Sequence, residues 1–233
     1  MSSNVVISGG TSGIGKMLVK LFLANNMNVL TFSRKQSNIN SLKKECSEFS
    51  KNLYCYQCDI GNIKSIDLIS KEILKKFKKI DFLINNSGTN TIGPIEKINI
   101  KDWKNIMDVN LTGPFYLTQK VLPLLKKGSL ILNMGSLASR QGFPGWSSYC
   151  SSKFGLKGFT ESLREELRPK KIRVVHAEIG ATDTAIWDNL DGDWNKESMM
   201  KDSEVAEVIF RNITIKGSVN VDELFLMPPA GIL

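Results

Sequence analysis

The chain has 233 residues, 42% of them hydrophobic and 23% charged, which allows a substantial core and excludes disordered, collagen-like and low-complexity classes. Its net charge is +8, but the basic residues come as scattered pairs such as Lys43-Lys44, Lys75-Lys76 and Lys170-Lys171. Pairs at predicted helix C-termini complement the macrodipole, so the charge reads as a solvated surface, with no nucleic-acid or membrane partner.

Short apolar runs predict strands at 4–8, 28–32, 52–57, 82–85, 129–133, 173–178 and 223–227. Amphipathic stretches at 13–25, 38–49, 62–78, 101–126, 149–168 and 202–213 predict the helices between them. The alternation implies one doubly wound α/β domain over 1–233, with a mostly parallel seven-stranded sheet, helices on both faces and ligand chemistry at the carboxyl ends of the strands. Within 101–126, Pro114 has no N–H for the carbonyl of Asn110, which predicts a kink there. The stretch 180–202 has two tryptophans and no clean period, and 185–202 is expected to be a substrate lid. Cys55-x-x-Cys58 lies on a predicted strand, where side chains three apart face opposite ways. With a single histidine and no second Cys/His pair, no metal site is expected and the cysteines read as structural. No leader-like N-terminus and no apolar run near ~18 residues appear, so the protein is expected to be soluble and cytoplasmic.

The first strand runs into Ser8-Gly9-Gly10-Thr11-Ser12-Gly13-Ile14-Gly15 and then a helix. Glycines there permit a tight turn and a close backbone approach to a pyrophosphate, and the helix N-terminus adds positive partial charge. The spacing differs from G-x-G-x-x-G. Farther on, Tyr149 and Lys153 are four apart on a predicted helix and share a face. A free phenol near pKa ~10 is a poor acid–base group at neutral pH, and a neighbouring ammonium is expected to lower it. Ser136 ends a predicted strand, where ligands bind in such sheets. The second strand ends with Ser33-Arg34 in place of an acidic residue, so nothing there repels a 2′-phosphate and a guanidinium can grip one. This favours NADP(H), with NAD(H) as the alternative.

The ordered set resembles the short-chain dehydrogenase/reductase family. SGGTSGIG is similar to its TGxxxGxG loop, with Ser8 for Thr. Asp59-Ile60, after the third strand, resembles its acidic residue near the adenine, Asn85-Asn86-Ser87-Gly88 its NNAG motif, and Tyr149-x-x-x-Lys153 its catalytic pair, at the family's distance from Ser136. These landmarks cover residues 4 to about 185. The resemblance implies a Rossmann fold and a catalytic set of Asn110, Ser136, Tyr149 and Lys153. Asn110 would hold a water that relays protons to the lysine. It implies cofactor contacts from Gly9, Thr11, Ser12, Gly13, Ile14, Gly15, Ser33, Arg34, Asp59, Ile60, Asn86, Gly88, Tyr149, Lys153, Thr182 and Thr184. The implied reaction interconverts a carbonyl and a secondary alcohol, as a reductase using NADPH, in a homodimer or homotetramer.

Several departures matter. Ile179-Gly180 replaces the family's Pro-Gly, removing a fixed φ near the nicotinamide. Ser12 stands where some NADP-dependent relatives carry a second basic residue. Ser139 is near Ser136 but has the wrong spacing to Tyr149, and reads as a loop hydrogen-bonder. The substrate pocket is expected from Ser87 to Ile92, Leu137 to Trp146 and 185–200. Its aromatics suggest an apolar or ring-containing carbonyl compound, with a 3-oxoacyl group on an acidic carrier and a small ketone as alternatives. A non-catalytic dinucleotide sensor is the competing class, and the complete Ser-Tyr-Lys set argues against it.

Overall fold

The computed structural model describes residues 2–188 and 194–232. Seven strands form one sheet: β1 (Asn4–Ser8), β2 (Asn28–Ser33), β3 (Leu53–Gln57), β4 (Ile80–Asn85), β5 (Leu125–Met134), β6 (Arg173–Ile179) and, after a two-stranded ribbon, β9 (Glu223–Leu226). Their order is β3-β2-β1-β4-β5-β6-β9, and every neighbouring pair is parallel. The ribbon pairs β7 (Thr182–Asp183) with β8 (Met200–Lys201). Its connection carries the expected lid, whose central residues 189–193 lie outside the described residues.

Side-chain alternation along the strands builds a core on each face of the sheet. Val5, Ile7, Phe82, Ile84, Leu130 and Leu132 point one way, against Leu18, Val19 and Phe22 of α1 (Gly13–Ala24) and Val205 and Ile209 of α7 (Asp202–Ile213). Val6, Leu83 and Ile131 point the other way. They meet Ile66, Ile69 and Ile73 of α3 (Ile63–Lys76), Leu117 and Val121 of α5 (Gly113–Val121), and Leu163 and Leu167 of α6 (Ser147–Leu167). The remaining helices are α2 (Gln36–Glu45) and α4 (Ile100–Met107).

The stretch 101–126 is not one helix. A π-helical segment, Asp108–Thr112, separates α4 from α5, and the N–H of Gly113 donates to the carbonyl of Asp108, five residues back. Pro114 explains the break, because it cannot donate to Asn110 in the α-helical pattern. A short 3-10 turn at Leu122–Leu124, which includes Pro123, then ends the helix, so β5 starts earlier than the apolar run indicated. Residues 126–129 bulge out of register: Ile80 pairs with Leu125, and Phe82 already with Leu130. Lys126 and Lys127 therefore sit on this bulge and not at a helix C-terminus.

Candidate active site

The strand order reverses at β1, whose neighbours β2 and β4 lead to opposite edges, and a crevice opens at the carboxyl ends of these strands. The turn after β1 sets its shape. Gly9 and Gly13 take φ of +68° and +50°, a region that costs a side-chain-bearing residue roughly 1–2 kcal/mol. The turn is held from β4. Ser8 Oγ accepts from the N–H groups of Asn86 and Ser87, both at 3.0 Å, and Asn86 Nδ2 donates to the carbonyls of Ser8 (3.2 Å) and Gly9 (3.0 Å). The Ser8 that replaces the family's Thr thus keeps a working hydroxyl. Ser12 precedes α1 but makes no side-chain cap, and the first turn holds no acidic residue. The leading N–H groups of α1 are left for an anionic group at the crevice.

A single cavity of about 830 Å³ runs along the strand ends. Gly9, Thr11, Ser12, Gly13 and Ile14 line it, as do Ser33, Arg34, Ile60, Asn86, Gly88, Thr182 and Thr184. Ser136, Tyr149 and Lys153 line it too. Gly15, Asp59 and Asn110 stand outside the lining. A Cβ on Gly15 would lie 2.3 Å from Asn86 Nδ2, so this glycine serves the close packing behind the turn. Asp59 stabilises its own turn, accepting from the Gly61 N–H at 3.0 Å, while its neighbours Cys58 and Ile60 face the cavity. Lys35 and Asn38 line the cavity beside Arg34 and were missed from sequence. Adjacency to Arg34 in the turn after β2 was the available signal for Lys35. A second cation therefore comes from this turn instead of from position 12.

Tyr149 lies in the first turn of α6 and Lys153 one turn on, both buried. Burial pushes the Tyr149 phenol up to about 12, against the opposing hydrogen bond from Ser136. Burial likewise pushes Lys153 down to about 8. The ammonium was expected to lower the phenol; here burial raises it, and the group that opposes the rise is Ser136 and not Lys153. Lys153 Nζ donates to the Met134 carbonyl at 2.7 Å and lies 5.6 Å from the Tyr149 ring centre. Ser136 Oγ accepts from the Ala138 N–H at 3.2 Å, so its own proton remains available to donate. Ser139 is a loop hydrogen-bonder: its Oγ accepts from the Ser136 N–H at 3.1 Å. Asn110 is fully buried in the π segment. Its amide donates to the Thr89 carbonyl (2.8 Å) and Ser152 Oγ (3.0 Å), and its Oδ1 accepts from the Thr89 N–H (2.9 Å). It anchors the strand-end segment that lines the cavity.

Two polar assemblies support this group. Glu178 on β6 accepts from Arg140, just past the Ser136 turn, at 2.6 Å and from Lys157 on α6 at 2.7 Å. Burial alone would push this carboxyl up, but the two cations outweigh it and hold it below the usual range. Beneath the strand ends a buried row crosses the sheet. Asn85 donates to Thr118 (3.1 Å) and Asn133 (2.8 Å), and Asn133 donates to Thr160 (2.9 Å), which sits 3.4 Å from His176 Nδ1. His176 is fully buried, and burial, with the charge of Lys153 next, pushes it down to about 4. The Ile179-Gly180 departure is compensated by backbone bonds: the Gly180 N–H donates to Leu226 at 2.8 Å and the Met200 N–H to Ala181 at 3.0 Å.

Beyond Tyr149 the cavity wall is aromatic. Trp146 meets Tyr149 edge-on at 5.6 Å, Phe143 at 5.8 Å, Trp187 at 6.2 Å and Trp194 at 6.3 Å, and Trp187 and Trp194 pack with tilted rings at 4.8 Å. All four cysteines are free thiols, and burial pushes Cys55 and Cys58 up to about 11, which suits structural roles. Among the described residues no cluster of His, Cys, Asp and Glu could hold a metal, and no helix is long and apolar enough to cross a membrane.

Comparison with known proteins agrees with this geometry. A family profile described as short chain dehydrogenase matches residues 3–194. The NADP-dependent 3-hydroxy acid dehydrogenase of Schizosaccharomyces pombe is 30% identical, over 96% of this chain and 92% of that protein. Sulfoacetaldehyde reductase 2 of Chromohalobacter salexigens is 28% identical, over 98% and 95%. Among solved structures, an alcohol dehydrogenase from the archaeon Thermococcus sibiricus complexed with 5-hydroxy-NADP superposes with a TM-score of 0.90 at 22% identity, covering 98% of this chain and 97% of that one.

Proposed function

Since this chain belongs to the short-chain dehydrogenase family, we propose that it is an NADPH-dependent reductase converting a ketone or aldehyde to an alcohol. The observation that carries the reading is the convergence of Ser136, Tyr149 and Lys153 on the cavity that the glycine turn and Arg34 also line. Gly9 to Ile14 and the uncapped start of α1 would hold the pyrophosphate, Arg34 and Lys35 the 2′-phosphate, and Thr182 and Thr184 the carboxamide. The relatives named for NADP support the choice of cofactor.

NADPH, when bound, supplies the hydride for the carbonyl carbon. Ser136 donates a hydrogen bond to the carbonyl oxygen and orients it as negative charge grows there. Tyr149 gives its phenolic proton to that oxygen, completing the alcohol. A phenol kept protonated by burial suits an acid in the reducing direction. Lys153 places its positive charge beneath Tyr149 and stabilises the phenolate left behind. Asn110, through the backbone carbonyl that Pro114 cannot engage, would hold a water that returns a proton towards Lys153.

The same reading includes a cytoplasmic location, which four free thiols suit, and a homodimer or homotetramer. The large apolar side chains Phe115 and Phe154, exposed on α5 and α6, support the oligomer. NADPH consumption against a panel of carbonyl compounds tests the activity. Tyr149→Phe should keep cofactor binding and lose ~10²–10⁴-fold in turnover, the usual share of general acid catalysis. Turnover within a few-fold of wild type would remove Tyr149 from the role.

A further inference from the structure

Among the described residues, the substrate end of the cavity is aromatic and carries no free cation. Phe143 and Trp146 line it from the segment leading into α6, and Trp187 and Trp194 from the connection after β7. Trp146 lies edge-on to Tyr149 at 5.6 Å, so the groups attached to a carbonyl at the Tyr149 hydroxyl come against its ring. The remaining liners nearby, such as Leu137, Ala138, Pro144 and Ile186, are apolar, and Ser87, Thr89 and Asn90 are neutral.

Arg34, Lys35 and Lys153 are the only charged liners among the described residues. Arg34 and Lys35 follow β2, which is three places from β5 in the sheet; at ~4.8 Å per strand they are roughly 14 Å from the Ser136 end. Lys153 is buried and bonded to the Met134 carbonyl. Arg140 and Lys157 are bound to Glu178, and Lys196 to Asp183 and Asp188. Residues 189–193, outside the described set, read Asn-Leu-Asp-Gly-Asp and contain no cation. A carboxylate or sulfonate beside the reacting carbonyl would give up water against the aromatic wall and meet no free cation among the described residues, and an anion desolvated without a countercharge is disfavoured. Flat rings instead gain edge-on and offset contacts with a tryptophan wall.

We propose that the substrate is an uncharged carbonyl compound bearing an aromatic or similarly flat apolar group next to the C=O, and that Trp146 reads that group. This sets the chain apart from the relatives whose names specify a hydroxy acid or a sulfonated aldehyde. The inference rests on the reductase reading, so the test separates the two. Methyl benzoylformate and benzoylformate share ring and carbonyl and differ in one charge; ethyl 3-oxobutanoate removes the ring. With NADPH, kcat/KM should favour methyl benzoylformate over benzoylformate by about 100-fold or more, and over ethyl 3-oxobutanoate by about 10-fold or more. Trp146→Ala should shrink the second ratio, chiefly by raising KM; if that variant does not fold, Trp187→Leu should act in the same direction. Parity between the ester and the acid, or preference for the acid, would overturn the inference and leave the reductase reading intact. Tryptophan fluorescence quenching by the same ester and acid, with NADP+ present, reads the pocket without turnover. Quenching by the ester alone with no turnover of any carbonyl would sustain the pocket's selectivity and sink the reductase reading. Equal quenching by both, or by neither, would overturn the inference.

Discussion

Burial acts on Lys153 and Tyr149 in opposite directions, towards about 8 for the ammonium and about 12 for the phenol. Over the physiological range the phenol therefore stays protonated while the lysine charge becomes the variable one. On the proposed mechanism that charge stabilises the developing phenolate, so kcat/KM for reduction should be level below about pH 8 and decline above it. Lys153→Arg, which cannot deprotonate, should remove the decline even if it lowers the plateau. A decline at the same pH in the arginine variant would assign it to another group. At the opposite end of the cavity, hydrogen bonds to a charged phosphate contribute ~1.5–3 kcal/mol, roughly 10–150-fold in favour of NADPH over NADH. Arg34→Ala should erase most of that ratio. Because Lys35 lines the same end, the double change with Lys35→Ala should erase the remainder; equal use of both cofactors by the wild type would mean that neither grips a phosphate. That Tyr149, Lys153, Ser136 and Arg34 share one cavity was legible from sequence, because their places are local: a fixed spacing on a helix or a position just after a strand. Lys35 had only its adjacency to Arg34 as a signal, because its place on the cavity depends on where the turn after β2 points.

At the scale of elements, the two groups proposed to meet at the carbonyl ride on separate pieces of chain. Ser136 lies in the turn after β5, Tyr149 in the first turn of α6, and Glu178 on β6 binds both pieces through Arg140 and Lys157. Glu178→Gln keeps the shape and removes the charge. With the cations partly exposed, the cost should be about 1–3 kcal/mol in stability, read by denaturant midpoint. Turnover should fall further than that loss explains, while the Kd for NADPH is unchanged, because the cofactor turn lies on β1 and α1. A variant with full turnover and only reduced stability would make Glu178 a purely structural clamp. The elements themselves were largely legible, since buried parallel strands read as apolar runs and the helices between them as periodic stretches. The failure at 101–126 is instructive. Its apolar period is continuous, and Pro114 was read as a kink, yet the missing N–H produces a π segment, Asp108–Thr112, that turns Asn110 inward to bind Thr89. The early start of β5 was hidden for a different reason: Lys126-Lys127-Gly128 is polar because it bulges out of the ladder.

For the molecule as a whole, the buried row ending at His176 sets an acid limit. An ordinary histidine titrates near 6.5, and this one is held to about 4. Between those values the unfolded chain binds a proton that the folded chain refuses, so stability falls as pH drops from about 6.5 to about 4. The loss is on the order of 3 kcal/mol once both values are passed. Urea midpoints from pH 7.5 to 4 should show this slope, and His176→Gln should flatten it; an identical slope in the variant would place the acid sensitivity in the carboxylates. Parallel pairing also separates the parts of the nucleotide cradle along the chain. The glycine turn follows β1 at residues 9–15, but the groups that fix its path, Asn86 and Ser87, follow β4 more than seventy residues later. Its shape thus belongs to the closed sheet and not to the local sequence. A chain that has reached only β1, β2 and β3 lacks Asn86 and Ser87, the partners that fix the turn. The turn is therefore completed only by a fourth strand in place, which ties closure of the sheet to the shape a bound nucleotide would need.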